Sequence, residues 1–241
     1  MNWQNWLLGA LLLGAGTGGA GAESAPNQLT EAERAAGWRL LFDGHSLRGW
    51  RAAGKKGPPR KGWVVEDGIL KKVEGVRGGH LLTIETFDNF EFVWDWRLPT
   101  QGNNGVKFFV VEERGILGHE YQMYDERRGG NGKSSTGAFY DVLPPIPGRK
   151  PFHVREWNHS RVVVRGNHVE HWLNGQKILE YELGSPRVLE AVARSKFKNV
   201  PDFGRKVRGH IMLTDHGSEA WFRNLKIREL PPTKPGGRNA S

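Results

Sequence analysis

Phe90, Phe92, Trp94, Trp96 and Leu98 alternate with Glu91, Val93, Asp95 and Arg97. That period of two puts one apolar face on a β-strand, whereas a helix would scatter the same residues round its circumference. Trp63 to Glu66 and Ile69 to Val73 flank Asp67-Gly68, and Arg161 to Val164, His168 to Leu173 and Gln176 to Tyr181 flank Gly166-Asn167 and Asn174-Gly175. Two-residue turns of these types accept positive φ, so they predict a hairpin followed later by a three-strand meander. Further strands are predicted over Trp38 to Phe42, Leu47 to Trp50, Gly105 to Glu112, Tyr121 to Tyr124, Ala138 to Val142, His210 to Thr214 and Ala220 to Arg228. Two helical segments interrupt them. Thr30-x-x-Glu33 is a capping-box pattern that stops at Gly37, and Ser185 can cap Pro186 to Phe197, where Leu189, Val192 and Ala193 share a face. Gly54 to Gly62 and the polar stretch Arg127 to Ser135 read as loops, the second of them exposed. Many antiparallel strands, short turns, one or two short helices and no internal repeat predict an all-β, two-sheet jelly-roll β-sandwich.

Composition narrows the chemistry. The 241 residues are 37% hydrophobic and 10% aromatic, enough to build a packed core, and Gly 33 with Trp 10 suits tight turns between aromatic-rich strands. Cysteine is absent, which excludes disulfides, thiolate-metal sites, iron–sulfur clusters and cysteine nucleophiles. The formal charge is +9, but the excess is spread over KK, RK, RR and single residues, and no nucleic-acid motif accompanies it. Gly129 to Ser134, GGNGKS, lacks the first Gly of a phosphate-binding loop and precedes no helix pattern, so nucleotide binding is rejected. Leu7 to Gly14 is an uncharged run of signal-core length, too short for a stable membrane span, and Ala20-Gly21-Ala22 reads as a cleavage site. The expected organisation is a signal peptide over 1–22, an N-terminal segment over 23–36, one domain over 37–230 and a disordered tail over 231–241. The expected location is periplasmic or secreted, without a lipidated cysteine.

Three constellations can carry chemistry. On a strand, Glu120, Gln122 and Tyr124 face one way while Tyr121, Met123 and Asp125 face the other, giving one polar side that is either solvated edge or a carboxylate and an amide lining a sheet. In Val169 to Leu173, His171 shares a face with Val169 and Leu173, opposite His168, Glu170 and Trp172; spacing leaves open whether it is a half-buried core histidine or a functional one. Asp215-His216-Gly217 follows an apolar strand and can present a carboxylate and an imidazole at its end, or simply form a turn. A divalent metal held by His171, Glu120, Asp125 or His216 is chemically allowed, although no HExxH or EF-hand spacing occurs.

Taken in order, Gly37-Trp38-Arg39-Leu40-Leu41-Phe42-Asp43-Gly44, Leu47-x-Gly49-Trp50, Trp63-x-x-Glu66-Asp67-Gly68-Ile69-Leu70, Gly105-Val106, Glu120-Tyr121-Gln122-x-x-Asp125, Thr136 to Asp141, Trp157-Asn158, Glu170 to Gly175, Asp215-His216-Gly217 and Phe222-Arg223-Asn224 resemble the 3-keto-disaccharide hydrolase family. The likeness covers roughly 37 to 230, departing at Asn103-Asn104-Gly105, where Asn-Ser-Gly is common, and at Thr214, where Gln often precedes Asp. The resemblance implies a concanavalin- or laminin-G-like jelly roll, an extracytoplasmic setting and a 3-keto-glycoside as carbohydrate substrate. A C3 carbonyl acidifies the C2 proton of a sugar, so a base can remove it, an enolate forms and the C1 oxygen is eliminated; hydration then completes net hydrolysis. His171 or Glu120 is expected as base, Lys196 or a bound cation as enolate stabiliser, and Asp125 or Asp215 as orienters. Asn104, Gln122, Tyr140, Trp172 and His216 are expected to meet the sugar, with Trp38, Trp50 and Trp94 in the core. Two rival readings are a glycosidase with paired carboxylates, about 5–5.5 or 6.5–9.5 Å apart, and a non-catalytic carbohydrate-binding module. Oligomeric state is open.

Overall fold

The computed structural model describes residues 25–129 and 132–232; the leader expected over 1–22 and the tail from 233 onward lie outside them. The Thr30 capping box forms as expected and starts α1 (Glu31–Ala35). The strands then follow: β1 (Arg39–Leu40), β2 (Trp50–Ala52), β3 (Trp63–Glu66), β4 (Ile69–Lys72), β5 (Leu81–Thr83), β6 (Phe90–Arg97), β7 (Asn103–Val111) and β8 (Leu117–Tyr124). The meander is β9 (Asn158–Arg165), β10 (His168–Leu173) and β11 (Gln176–Glu182), followed by α2 (Pro186–Ala193), β12 (His210–Leu213) and β13 (Ala220–Glu229). Eight strands form one antiparallel sheet, in the order β11-β10-β9-β6-β13-β4-β3 with β1 also on β13; five form the other, in the order β2-β5-β12-β7-β8. The fold is a jelly-roll β-sandwich.

The hairpin turn has φ 50 at Asp67 and 74 at Gly68, and the β10–β11 turn has 46 at Asn174 and 80 at Gly175, the doubly positive geometry that matches strand twist. Along β6 the alternation buries Phe90, Phe92, Trp94 and Trp96 against the second sheet. Trp94 stacks on Phe92 at 5.0 Å and meets the edge of Tyr121 at 5.0 Å. A buried polar relay crosses the sandwich beside them. Trp96 Nε1 donates to Ser160 Oγ (2.8 Å), Ser160 Oγ donates to the Tyr121 hydroxyl (2.9 Å), and that hydroxyl donates to the Trp172 carbonyl (3.0 Å). Tyr121 on β8 is thereby fastened to β9 and β10 of the facing sheet.

Several elements differ from expectation: the strand expected over Leu47 to Trp50 forms instead at Trp50–Ala52, and β5 forms where none was expected. Ala138–Val142 does not become a strand: Phe139 makes isolated bridges to Tyr121 and Leu143, and the backbone of Gly137, Ala138 and Tyr140 bonds along the free edge of β8. The helix after Ser185 ends at Ala193, because Ser195 Oγ bonds back to the Val192 carbonyl and accepts the Phe197 N–H, diverting the chain from the helical ladder. The polar loop is also less exposed than expected at its end, where Ser135 and Thr136 are buried.

Because Trp94 fills the centre of the core, Trp94→Ala should cost about 3–5 kcal/mol, whereas Val93→Ala on the outer face of β6 should cost about 1 kcal/mol or less; urea unfolding midpoints of the two variants check this.

Candidate functional site

The candidate site lies on the face of the five-stranded sheet that points away from the core. Opposed residues on β7 and β8 share a face: Gly105 sits opposite Gln122 and Lys107 opposite Glu120. Val106, Tyr121 and Met123, one position out of step, point into the core. The Glu120 side chain is only 4% exposed, with Lys107 Nζ 3.7 Å from one carboxylate oxygen and His216 Nε2 3.6 Å from the other. Gly105 makes room for it: a Cβ there would collide with Glu120 Oε1. Gln122 Oε1 is buried with no hydrogen-bond partner among the described residues, and so is Asn103 Oδ1 on the same face. Buried acceptors left unpaired are costly, and these two stand on the strand face that also carries the carboxylate.

The other wall comes from the chain after β12 and before β5. Asp215 is the anchor of that wall. Its carboxylate accepts the N–H groups of Gly78 (2.9 Å), Gly79 (3.0 Å) and Gly217 (3.1 Å) and lies 3.1 Å from the fully buried Lys72 ammonium. Burial works to raise its pKa, but these bonds and the Lys72 charge prevail and hold it below the usual carboxylate range. The Asp215 N–H donates to His80 Nδ1 at 2.9 Å, which leaves the proton of a neutral ring on Nε2. Burial first, then the charges of Lys107 and His216, lower the His80 pKa, with Asp215 and Glu120 opposing. The His80 and His216 rings meet edge to face at 6.4 Å. Glu120, Lys107, His80, His216 and Asp215 thus form one electrostatic neighbourhood.

The structure gathers only part of the expected set. Tyr140 is tied to the edge of β8 by its backbone, its N–H donating to the Glu120 carbonyl at 3.0 Å, and exposed Lys196 lies 4.1 Å over its ring. His171 does not join them. It is wholly buried inside the sandwich, donating from Nδ1 to the Gly137 carbonyl (2.9 Å) and facing the Tyr181 hydroxyl at Nε2 (3.3 Å), so it reaches no substrate as a base. Asp125 is also diverted: it caps the short turn Glu126–Arg128 and accepts from Gln101 N–H and Arg127. Chiefly the Arg127 bonds hold its carboxyl at about 2. Asn104 is buried behind the sheet, tying β7 to the end of β12 through the Thr214 carbonyl. Trp172 lies on the outer face of the opposite sheet, bonded to Glu170 and covered by Arg161.

A metal shared by His171, Glu120, Asp125 and His216 does not fit, since His171 and Asp125 are committed elsewhere and an ammonium already faces Glu120. Among the described residues, the three ligating atoms that do converge belong to His168, Glu170 and Glu180, remote from this face. Sequence reasoning missed His80, Lys107 and Lys72. Lys107 carried a signal, being the single charge on β7; Lys72, beside Lys71 at the end of β4, and His80, in a Gly-rich connection, carried none.

Residues 37–228 match the 3-keto-alpha-glucoside-1,2-lyase-like domain. The chain belongs to that family. It is 29% identical over 231 residues to a Bacteroides thetaiotaomicron 3-keto-disaccharide hydrolase, covering 80% of this chain and 79% of the relative. Two solved Parabacteroides distasonis structures, both described provisionally as glycosyl hydrolases, are similar in fold. One has a TM-score of 0.76 at 33% identity, covering 86% of this chain and 100% of that one. The other has a TM-score of 0.66 at 26% identity, covering 80% and 99%.

Core histidines give this 3-keto-alpha-glucoside-1,2-lyase-like domain a pH signature. Burial pushes His171 from 6.5 down to about 4, against the pull of the Gly137 carbonyl, and burial with the His171 charge pushes His119 down to about 3. Below about 6.5 the unfolded chain therefore binds protons that the folded chain refuses. Stability should be full above that pH and fall toward pH 4 by up to about 1.4 kcal/mol per pH unit for each histidine. His171→Gln should shrink the difference in unfolding free energy between pH 7 and pH 5, as measured by urea titration at the two pH values.

Proposed function

We propose that this protein cleaves 3-keto-glycosides by abstracting the C2 proton and eliminating the C1 oxygen, with water addition completing net hydrolysis. The observation that carries the reading is the Glu120 carboxylate, sheltered and flanked by Lys107 and His216 at 3.7 and 3.6 Å. Family membership supplies the substrate class, and the Bacteroides thetaiotaomicron relative is named for a 3-keto-disaccharide. Glu120 takes the C2 proton, whose acidity comes from the neighbouring ketone. The electron pair left behind forms the enolate, whose oxygen draws on the Lys107 ammonium in place of the Lys196 expected from sequence. As the C1–O bond breaks, His216 is placed to return a proton to the leaving oxygen. The immediate products are a 1,2-unsaturated 3-keto sugar and the freed hydroxyl compound; water adding across C1 and C2 restores a saturated 3-keto sugar. Gln122 Oε1 and Asn103 Oδ1, which have no hydrogen-bond partner among the described residues, are the acceptors we assign to sugar hydroxyls.

Asp215 acts as a positioning residue, since its carboxylate is spent on backbone N–H groups and Lys72 while its own N–H orients His80. The setting we propose is extracytoplasmic, supported by the apolar run Leu7 to Gly14 and the Ala20-Gly21-Ala22 pattern. Export would yield a chain beginning at Glu23, which amino-terminal sequencing of the protein from its native host reads directly.

Purified protein incubated in heavy water with a 3-keto-glucoside and with its unoxidised parent should release the aglycone from the keto compound alone, with deuterium at C2. Glycan binding without release from either would defeat the proposal. Glu120→Gln should lower kcat by about a hundred-fold or more and abolish C2 exchange while leaving the melting temperature near that of the parent. Gly105→Ala, which displaces the Glu120 carboxylate without removing it, should lower kcat/KM by about a hundred-fold; equal activity would mean that the close approach of Glu120 to β7 is irrelevant to turnover.

A further inference from the structure

Beside the site, the Gly54–Gly62 loop and the chain after β4 enclose a cavity of about 490 Å³, within the size range of small-molecule sites. Its lining is one-sided in charge: Lys55, Arg60, Lys61 and Arg77 contribute four cations, while Ala52, Pro58, Pro59 and glycines supply the rest, with no acid. No ion-pair partner of these four occurs among the described residues, and Glu112, near the start of the loop, is already taken by Arg51 and the Gly54 N–H. Clustered cations that nothing neutralises repel one another and attract an anion.

The groove is joined rigidly to the site. A Cβ at Gly78 would collide with the Lys61 carbonyl, and one at Gly62 would meet the Gly78 backbone, so the two walls touch through glycines where no side chain fits. The Gly62 carbonyl also accepts the Val73 N–H at 2.9 Å. Gly78, itself part of the lining, donates its N–H to Asp215, the residue before His216. The Arg77 guanidinium comes to 4.0 Å from where a Cβ of Gly217 would stand, on the other side of His216. A ligand in the groove therefore lies directly along the chain from the group placed to protonate the leaving oxygen.

We propose that this groove is a subsite for an anionic leaving group: a sugar unit, bearing carboxylate or sulfate, attached to the oxygen that departs from C1. The inference rests on the elimination reading for the position of the leaving group, but the groove's preference for anionic saccharides is testable without turnover. Prolines 58 and 59 restrict the backbone of one wall, while the four cationic side chains are exposed and open to a ligand.

The test compares three disaccharides oxidised at C3 of the non-reducing glucose, with glucose, glucuronate or glucose 6-sulfate as the leaving unit. Wild-type protein should turn over the charged substrates about ten-fold more efficiently by kcat/KM, and 0.5 M NaCl should erase most of that preference. In the Arg60→Gln/Lys61→Gln variant, the charged-to-neutral ratio of kcat/KM should fall about five- to ten-fold. Preference for glucuronate alone or for the sulfate alone identifies which anion the groove takes; equal efficiency on all three substrates overturns the proposal. In parallel, calorimetry with the unoxidised glucosyl-glucuronate and with cellobiose reads the groove directly. Tighter binding of the acidic sugar that the double variant weakens, with no turnover of any keto substrate, would uphold the groove and defeat the elimination reading. Identical binding of the two sugars would defeat the groove whatever the turnover.

Discussion

The alternation along β8 is the constraint on which the rest depends. Its even positions carry Glu120 and Gln122 to the outer face, while its odd positions send His119, Tyr121 and Met123 into the core. A strand with period two cannot slip by one residue without exchanging these faces, and the Tyr121 hydroxyl resists that slip by bonding to Ser160 and the Trp172 carbonyl in the facing sheet. Sheet-to-sheet packing on one side thereby sets where a carboxylate stands on the other. Gly105 completes the arrangement, because only a strand lacking a side chain at that point lets the carboxylate lie close over β7.

The site is polar, yet Glu120, Lys107, Asp215 and Lys72 are nearly sealed from solvent, with His216 the more open member. An isolated carboxylate at 4% exposure would be strongly disfavoured, so Lys107 and His216 are conditions for burying Glu120 whatever else they do. The same logic operates at Asp215, where a buried ammonium and three backbone N–H groups offset desolvation. These two carboxylates do opposite work. Asp215 spends its acceptor capacity on backbone N–H groups and becomes a clamp; the Glu120 carboxylate meets Lys107 and His216 only at 3.7 and 3.6 Å. Low local dielectric strengthens each nearby charge.

Histidine illustrates how little residue type alone decides. His171 and His119 are held neutral by burial among aromatic rings, with Phe108, Tyr121 and Tyr181 around the first and Phe109, Phe139 and Phe203 around the second. His80 and His216 sit instead on connections at strand ends, where strands no longer dictate direction and imidazoles meet charged neighbours. The two histidines we propose to act stand on connections, as expected when a rigid sandwich presents chemistry from its loops, whereas other strand histidines, His159 and His168 among them, face outward in surface ion pairs.

Local rules sufficed for much of the fold. The Asp67-Gly68 and Asn174-Gly175 turns, the β6 stripe, the Thr30 capping box and the Ser185 cap each depend on interactions within a few residues, and such interactions are written directly in the chain. The facing of Glu120 and Gln122 on one side of β8 was legible for the same reason. Which of the polar residues would share a site was not, because it depends on strand order: β12 lies between β5 and β7, which carries His80 and His216 to Glu120, residues far apart in sequence. Asp125 and Asn104 looked equally suited to a ligand, but Asp125 is taken up chiefly by Arg127 two residues away, with the Gln101 N–H adding to it, and Asn104 by the distant Thr214 carbonyl. Sequence by itself determined the periodicities, the turns and the candidate carboxylate; tertiary structure decided which polar groups are already satisfied and which remain free to act, since hydrogen-bond satisfaction is a property of assembled neighbours.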